Sequence, residues 1–190
     1  MGNDSLEDWD VPLDVLIWNP LSIRLWKAIS SAFTTGDGSS KPDGIVTNAG
    51  VGEIISKNST PSATDYYNLL RKPGYAYTLG PKAGFMMNSD TMYRTMALAV
   101  GTSDSRPLWQ PSFAAGQPPT IAGKPYWINN DMDQVAATTK KVLLFGDFSQ
   151  HLLRFVGSPK LVRLDERYAE LYQTAFIIIW RADCDTLAAG

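Results

Sequence analysis

Apolar residues recur every three or four positions through the first third of the chain. In the last third they alternate or run unbroken. The first period belongs to helices and the second to strands. Residues 6–17 place Leu6, Trp9, Leu13, Leu16 and Ile17 at helical spacing, with Pro12 limiting any single helix there. Asn19-Pro20 reads as a helix start. From it Leu21, Leu25, Ala28, Ile29, Ala32 and Phe33 form one stripe, so the spacing predicts an amphipathic helix ending near Thr34. Gly36-Asp37-Gly38 and Pro42-Asp43-Gly44 bracket a tight turn. Residues 45–63 are polar and read as irregular. Ser62 or Thr64 caps a short helix that carries Tyr66, Tyr67, Leu69 and Leu70.

Ala83-Gly84-Phe85-Met86-Met87 reads as a buried strand. Asn88 or Ser89 then caps a helix in which Met92, Met96 and Ala99 share a face and which Gly101 ends. Residues 101–120 hold Pro107, Pro111, Pro118 and Pro119 and read as one long loop. Strands follow at Tyr126–Ile128 and Val142–Phe145, the second closed by Gly146-Asp147. Residues 152–156 and 160–164 read as a hairpin around Gly157-Ser158-Pro159, and Thr174–Trp180 as a last strand. Helices first and strands later predict an α+β fold, not alternating βαβ units.

The chain has 190 residues, enough for one domain or two small lobes, and 44% of them are hydrophobic. Six Trp, eight Tyr and seven Phe are a generous aromatic supply; most of them read as core, and such side chains are also enriched at interfaces. A net charge of −2, with no basic run longer than Lys140-Lys141, speaks against dedicated nucleic-acid binding. The single cysteine, Cys184, cannot form an internal disulfide, which suits a reducing compartment. The start of the chain does not read as a signal peptide. The longest apolar run, Ala175–Trp180, is too short for a bilayer.

Candidate chemistry is sparse. His151 is the only histidine and has no nucleophile beside it in the sequence. Cys184 lies between Asp183 and Asp185, whose charges disfavour a thiolate. Gly36-Asp37-Gly38-Ser39-Ser40-Lys41 follows a helix and lacks the ending of a phosphate loop. The acids between Asp4 and Asp14 read as a solvated helix face. Asn129, Asn130, Asp131 and Asp133 resemble the opening of a calcium loop, but Ala136 stands where its sharp bend wants glycine. No catalytic, cofactor or metal-ligand set is assigned.

Six stretches, in order, resemble the major capsid proteins of tailed bacteriophages with the Hong-Kong-97-type fold. They are Ala32-Phe33-Thr34-Thr35-Gly36-Asp37-Gly38 with Lys41-Pro42 and Gly44-Ile45; Phe85-Met86-Met87-Asn88; Leu108-Trp109-Gln110-Pro111-Ser112 with Ala114-Ala115-Gly116 and Ile121-Ala122-Gly123-Lys124-Pro125; Leu144-Phe145-Gly146-Asp147-Phe148-Ser149; Arg163-Leu164-Asp165-Glu166-Arg167-Tyr168-Ala169; and Trp180-Arg181-Ala182-Asp183. The resemblance covers about residues 6–185 and implies a structural shell subunit, prophage-encoded, and no enzyme. It implies a peripheral part, with the end of the spine helix, in residues 1–45 and 163–180. An axial part would occupy residues 46–162 and 181–190. It implies self-association into pentamers and hexamers, other head proteins as further partners, no sequence-specific nucleic acid and no membrane.

The same likeness implies a place in the virion capsid after assembly in the bacterial cytoplasm. It makes Trp109, Phe113, Tyr126 and Trp127 candidate interface residues, and Gly36, Asp37, Gly38, Pro42 and Gly44 the turn motif. The sequence holds no counterpart of the family's N-terminal arm and extended loop ahead of the spine helix. The expectation is therefore a chain that folds but does not close a shell alone. Two other readings stay open: an encapsulin-like bacterial shell, and a small hydrolase or ligand-binding domain with residues 101–120 as a lid.

Overall fold

A computed structural model describes residues 13–52, 54–55, 60–80, 82–101, 104–107, 120–134 and 140–187. The chain begins with a 23-residue helix, α1 (Leu13–Thr35). Pro20 lies inside it, so the helix starts a full turn and more before the expected Asn19-Pro20. A proline there leaves one carbonyl without its N–H partner and costs roughly 3 kcal/mol in a helix interior. Burial of Ile17, with Leu16, Leu21 and Leu25 half-buried, extends the apolar stripe across the break and offsets that cost. The expected end near Thr34 stands.

A short helix, α2 (Ile45–Asn48), occupies part of the stretch expected to be irregular. Lys141 fixes its end by donating from Nζ to the Val46 carbonyl at 2.8 Å and to that of Thr47 at 3.1 Å. Helix α3 (Ala63–Arg71) begins at Ser62, whose hydroxyl accepts from Asp65 N–H while the Asp65 carboxylate accepts from Ser62 N–H. This reciprocal cap satisfies two otherwise unpaired donors. A single turn, α4 (Tyr75–Thr78), leads into strand β1 (Ala83–Met87). Asn88 caps helix α5 (Ser89–Met96) through Asp90 N–H at 2.9 Å.

Helix α5 stops at Met96. Ala99–Gly101, expected to lie on its last turn, is strand β2, paired antiparallel with β3 (Asp104–Pro107). The expected 101–120 loop thus begins with a strand pair, and residues 108–119 lie outside the described residues. Strands β4 (Thr120–Ile121), β5 (Lys124–Ile128) and β6 (Leu143–Asp147) complete a four-stranded sheet in the order β4-β5-β1-β6. β1 runs parallel to β5 and antiparallel to β6. Gly146 and Asp147, expected to close β6, belong to it. Tyr66, Phe85, Met87, Met92, Ile121 and Phe145 form the core between the sheet and helices α3 and α5. Phe85 packs at 4.8 Å from Phe145 and 5.4 Å from Tyr66, ring centre to ring centre. The Tyr66 hydroxyl is satisfied by Thr95 Oγ1 at 2.8 Å.

The last third forms one long ribbon, β7 (His151–Tyr168) paired antiparallel with β8 (Gln173–Thr186). This corrects the expected hairpin around Gly157-Ser158-Pro159. Val156 pairs with Arg181 and Lys160 with Ile179, so three residues of β7 stand opposite Trp180 alone. The extra residues make a bulge, which admits the φ of +68° at Gly157 and the missing N–H of Pro159. The chain reverses instead at Ala169–Leu171, where Tyr172 takes a φ of +50°. The sequence boundaries at 162/163 and 180/181 fall inside these continuous strands.

Candidate assembly surfaces

The glycine turn after α1 joins three elements. Gly36 N–H donates back to Ala32 C=O at 2.9 Å, continuing the helix, and Gly44 N–H donates to Gly36 C=O at 3.0 Å. Asp37 and Asp43 form an antiparallel bridge between the two arms. A Cβ on Gly36 would stand 2.0 Å from the Pro42 carbonyl oxygen, and one on Gly44 would stand 2.5 Å from Gly36 N. Only glycine permits that approach, which is the physical reason for Gly36 and Gly44 in the motif. Asp43 N–H then donates to Cys184 C=O at 3.3 Å, and the Cys184 thiol to Asp43 C=O at 3.2 Å. The turn is thereby pinned to the root of the ribbon. Burial, with the charges of Asp183, Asp43 and Asp185 behind it, pushes the thiol up to about 11.

The ribbon has two faces. Phe155 and Trp180 stack at 4.7 Å on the face that meets α1. Trp26 stands edge-on to both rings, at 6.2 Å and 5.3 Å, and Phe33 lies 5.7 Å from Phe155. Trp180 Nε1 donates to Gly157 C=O at 2.8 Å, so the bulge also orients the indole. The opposite face carries Leu152, Val156, Val162, Ile177 and Ile179 among Arg154, Lys160, Arg181, Asp183 and Asp185. Leu152 is 51% exposed and Ile179 is 54% exposed. A two-stranded ribbon is marginal alone in water, and this one keeps an apolar row uncovered.

The four aromatic residues singled out from the sequence separate. Trp109 and Phe113 lie outside the described residues. Tyr126 pairs with Phe85 in register and packs against the core, where burial raises its phenol above the usual range. Trp127 points to the other side of the sheet and remains 40% exposed. It covers Gly84, where a Cβ would lie 2.6 Å from its ring, and meets Phe148 edge-on at 5.1 Å. Sequence reading missed the ribbon's outer face because charged residues break its apolar row.

The residues resembling a calcium loop are engaged structurally. Asn129 Oδ1 accepts from Asp131 N–H at 3.0 Å, and Asn129 Nδ2 donates to Thr34 Oγ1 at 2.8 Å, tying α1 to the sheet. Among the described residues no three His, Cys, Asp or Glu side chains gather as a metal site, and no helix is long and apolar enough to cross a membrane.

A long helix packs on an extended ribbon, a glycine turn pins its end to the ribbon's root, and Asn129 ties it to a small mixed sheet. The chain belongs to the phage capsid family, whose model matches residues 2–189. Its fold is of the Hong-Kong-97 type. It is similar to the capsid of the native GTA particle, computed with C5 symmetry, with a TM-score of 0.80 and 24% identity over 99% of this chain and 67% of that one. The capsid of the empty GTA particle gives a TM-score of 0.77 and 24% identity over 97% of this chain and 66% of that one. The chain thus spans about two thirds of the length of these capsid chains. No curated protein matches it.

Proposed function

We propose that this chain is a subunit of an icosahedral phage or prophage capsid, associating with its own copies in rings of five and six. The carrying observation is the ribbon, 18 and 14 residues long, with apolar side chains on both faces and α1 against only one. A row such as Leu152, Val156, Val162, Ile177 and Ile179 gains roughly 25 cal/mol per Å² of apolar surface it buries. Many such modest, repeated contacts hold a closed symmetric assembly. Trp127 offers a second contact on the sheet, with Trp109 and Phe113 as further interface residues.

In this reading the peripheral part is α1 with the ribbon, which revises the division at 162/163 and 180/181. The axial part is the four-stranded sheet with α3 and α5. The subunit performs no catalysis, takes no cofactor, and assembles in the bacterial cytoplasm, where it meets other head proteins. A net charge of −2 suits a wall that contains DNA without gripping it.

Size-exclusion chromatography with light scattering tests this directly. The native chain associates as concentration rises, and a variant carrying Ile177→Lys and Ile179→Lys stays monomeric while keeping its melting cooperativity. A native chain that is monomeric at every concentration would sink self-association through the ribbon.

A further inference from the structure

The ribbon leaves the sheet through a narrow root. β6 ends at Asp147, whose carboxylate accepts from Ser149 N–H at 2.9 Å and turns the chain. One 3-10 turn, Phe148–Gln150, then leads straight to His151. His151 pairs with Thr186 as the first rung of the ribbon, and Leu187 N–H donates to Gln150 C=O at 3.0 Å just outside it. His151 Nδ1 lies 3.0 Å from Thr186 Oγ1. Nε2, the other ring nitrogen, is buried and has no hydrogen-bond partner among the described residues. The turn after α1 closes the same root through the paired contacts of Asp43 and Cys184.

A neutral imidazole tolerates that position, because one bare nitrogen loses little when buried. A protonated ring does not, because it carries a charge and an N–H with no acceptor at hand. The charged groups near enough to act on the ring are Asp185 on β8, whose side chain leaves the ribbon's other face, and Asp43 on the turn. Their carboxylates favour the proton, yet burial outweighs them and holds the ring below the usual imidazole range. To give the added proton an acceptor, the ring swings toward Asp43 or water, and the Thr186 contact breaks.

We propose that the root of the ribbon is a proton-operated joint, in which one proton on His151 Nε2 parts the His151–Thr186 rung and frees the ribbon to reorient against the sheet and the glycine turn. The joint acts within a single chain and does not depend on shell assembly. Its direction follows from the burial. The closed form binds the proton less readily than the open one, so closure is fully stable above the ordinary imidazole value. That stability is lost as pH falls from there through the native value.

The only histidine gives one imidazole signal, so its titration can be followed by proton NMR on the whole chain. The expected midpoint lies below that of the unfolded chain. Across the same window, amide exchange at Asp43 and Leu187, corrected for intrinsic pH dependence, accelerates by up to about tenfold per pH unit. His151→Asn keeps a polar atom near Thr186 but does not titrate there, and its exchange should be flat. Asp43→Asn removes a charge that favours the proton and should shift the opening to lower pH. An ordinary imidazole midpoint, or native exchange at these amides that ignores the titration, would overturn the joint, and both are read on the unaltered chain.

Discussion

Cys184 behaves as two different residues in sequence and in space. Between two aspartates it reads as a poor nucleophile, and the fold adds burial and a hydrogen bond to Asp43 C=O. With its thiol pushed up to about 11 from a usual 9.0, the thiolate at pH 8 is on the order of a hundredfold scarcer than for an open cysteine. Iodoacetamide should therefore label the folded chain at least that much more slowly than the chain in urea, followed by mass spectrometry. Comparable rates would mean that the turn does not close over the root. Gly44 makes a sharper case. Its replacement by Ala forces a methyl to 2.5 Å from Gly36 N and 2.7 Å from Thr34 O, both backbone atoms that cannot step aside. The expected cost is about 1–3 kcal/mol or more, read as a fall in Tm of about 2–4 °C per kcal/mol. An unchanged Tm would show that the turn relaxes freely.

Elements were legible where their signals are local. Ser62 or Thr64 marks a helix start in the sequence, and the structure selects Ser62, with Asp65 completing a reciprocal cap. Ser62→Ala should cost about 0.5–2 kcal/mol in urea denaturation, and Asp65→Ala should cost further in that background because the residue-62 N–H still donates to its carboxylate, but less than alone because the hydroxyl–carboxylate contact is already gone. Fully additive losses would contradict a shared cap. The β7–β8 ribbon was misread for a related reason. Gly-Ser-Pro is a strong turn signal, but here it makes a bulge opposite Trp180, held by the indole bond to Gly157 C=O. The real reversal at Tyr172 uses a left-handed residue without a glycine, so the sequence advertises nothing there. Ala99–Gly101 shows the converse: helical spacing continues past Met96, yet pairing with β3 claims these residues for a strand.

At the scale of the whole molecule, the ribbon continues from the sheet through one 3-10 turn, and α1 touches both. Their apolar surfaces differ in use. The sheet's side chains Phe85 and Met87 are fully buried within the chain, whereas the ribbon's Ile177 and Ile179 face outward. The paired lysine variant should accordingly change Tm by less than about 1 kcal/mol equivalent, because exposed positions contribute little to folding, while abolishing association. A large loss of Tm would place these residues in the subunit's own core instead.

The sequence alone determined the α+β order, the core strand Ala83–Met87, the two residues within which each cap falls, the glycine turn and the likeness to capsid subunits. Each depends on neighbours a few residues apart, whose sterics and hydrogen bonds act wherever the chain goes. Tertiary structure alone decided that Pro20 stays helical, that Gly157–Pro159 bulges and does not turn, that Tyr126 faces inward and Trp127 outward, and that His151 closes the root of the ribbon. Those outcomes hang on partners 20 or more residues away, where burial and cross-strand register outweigh local preference.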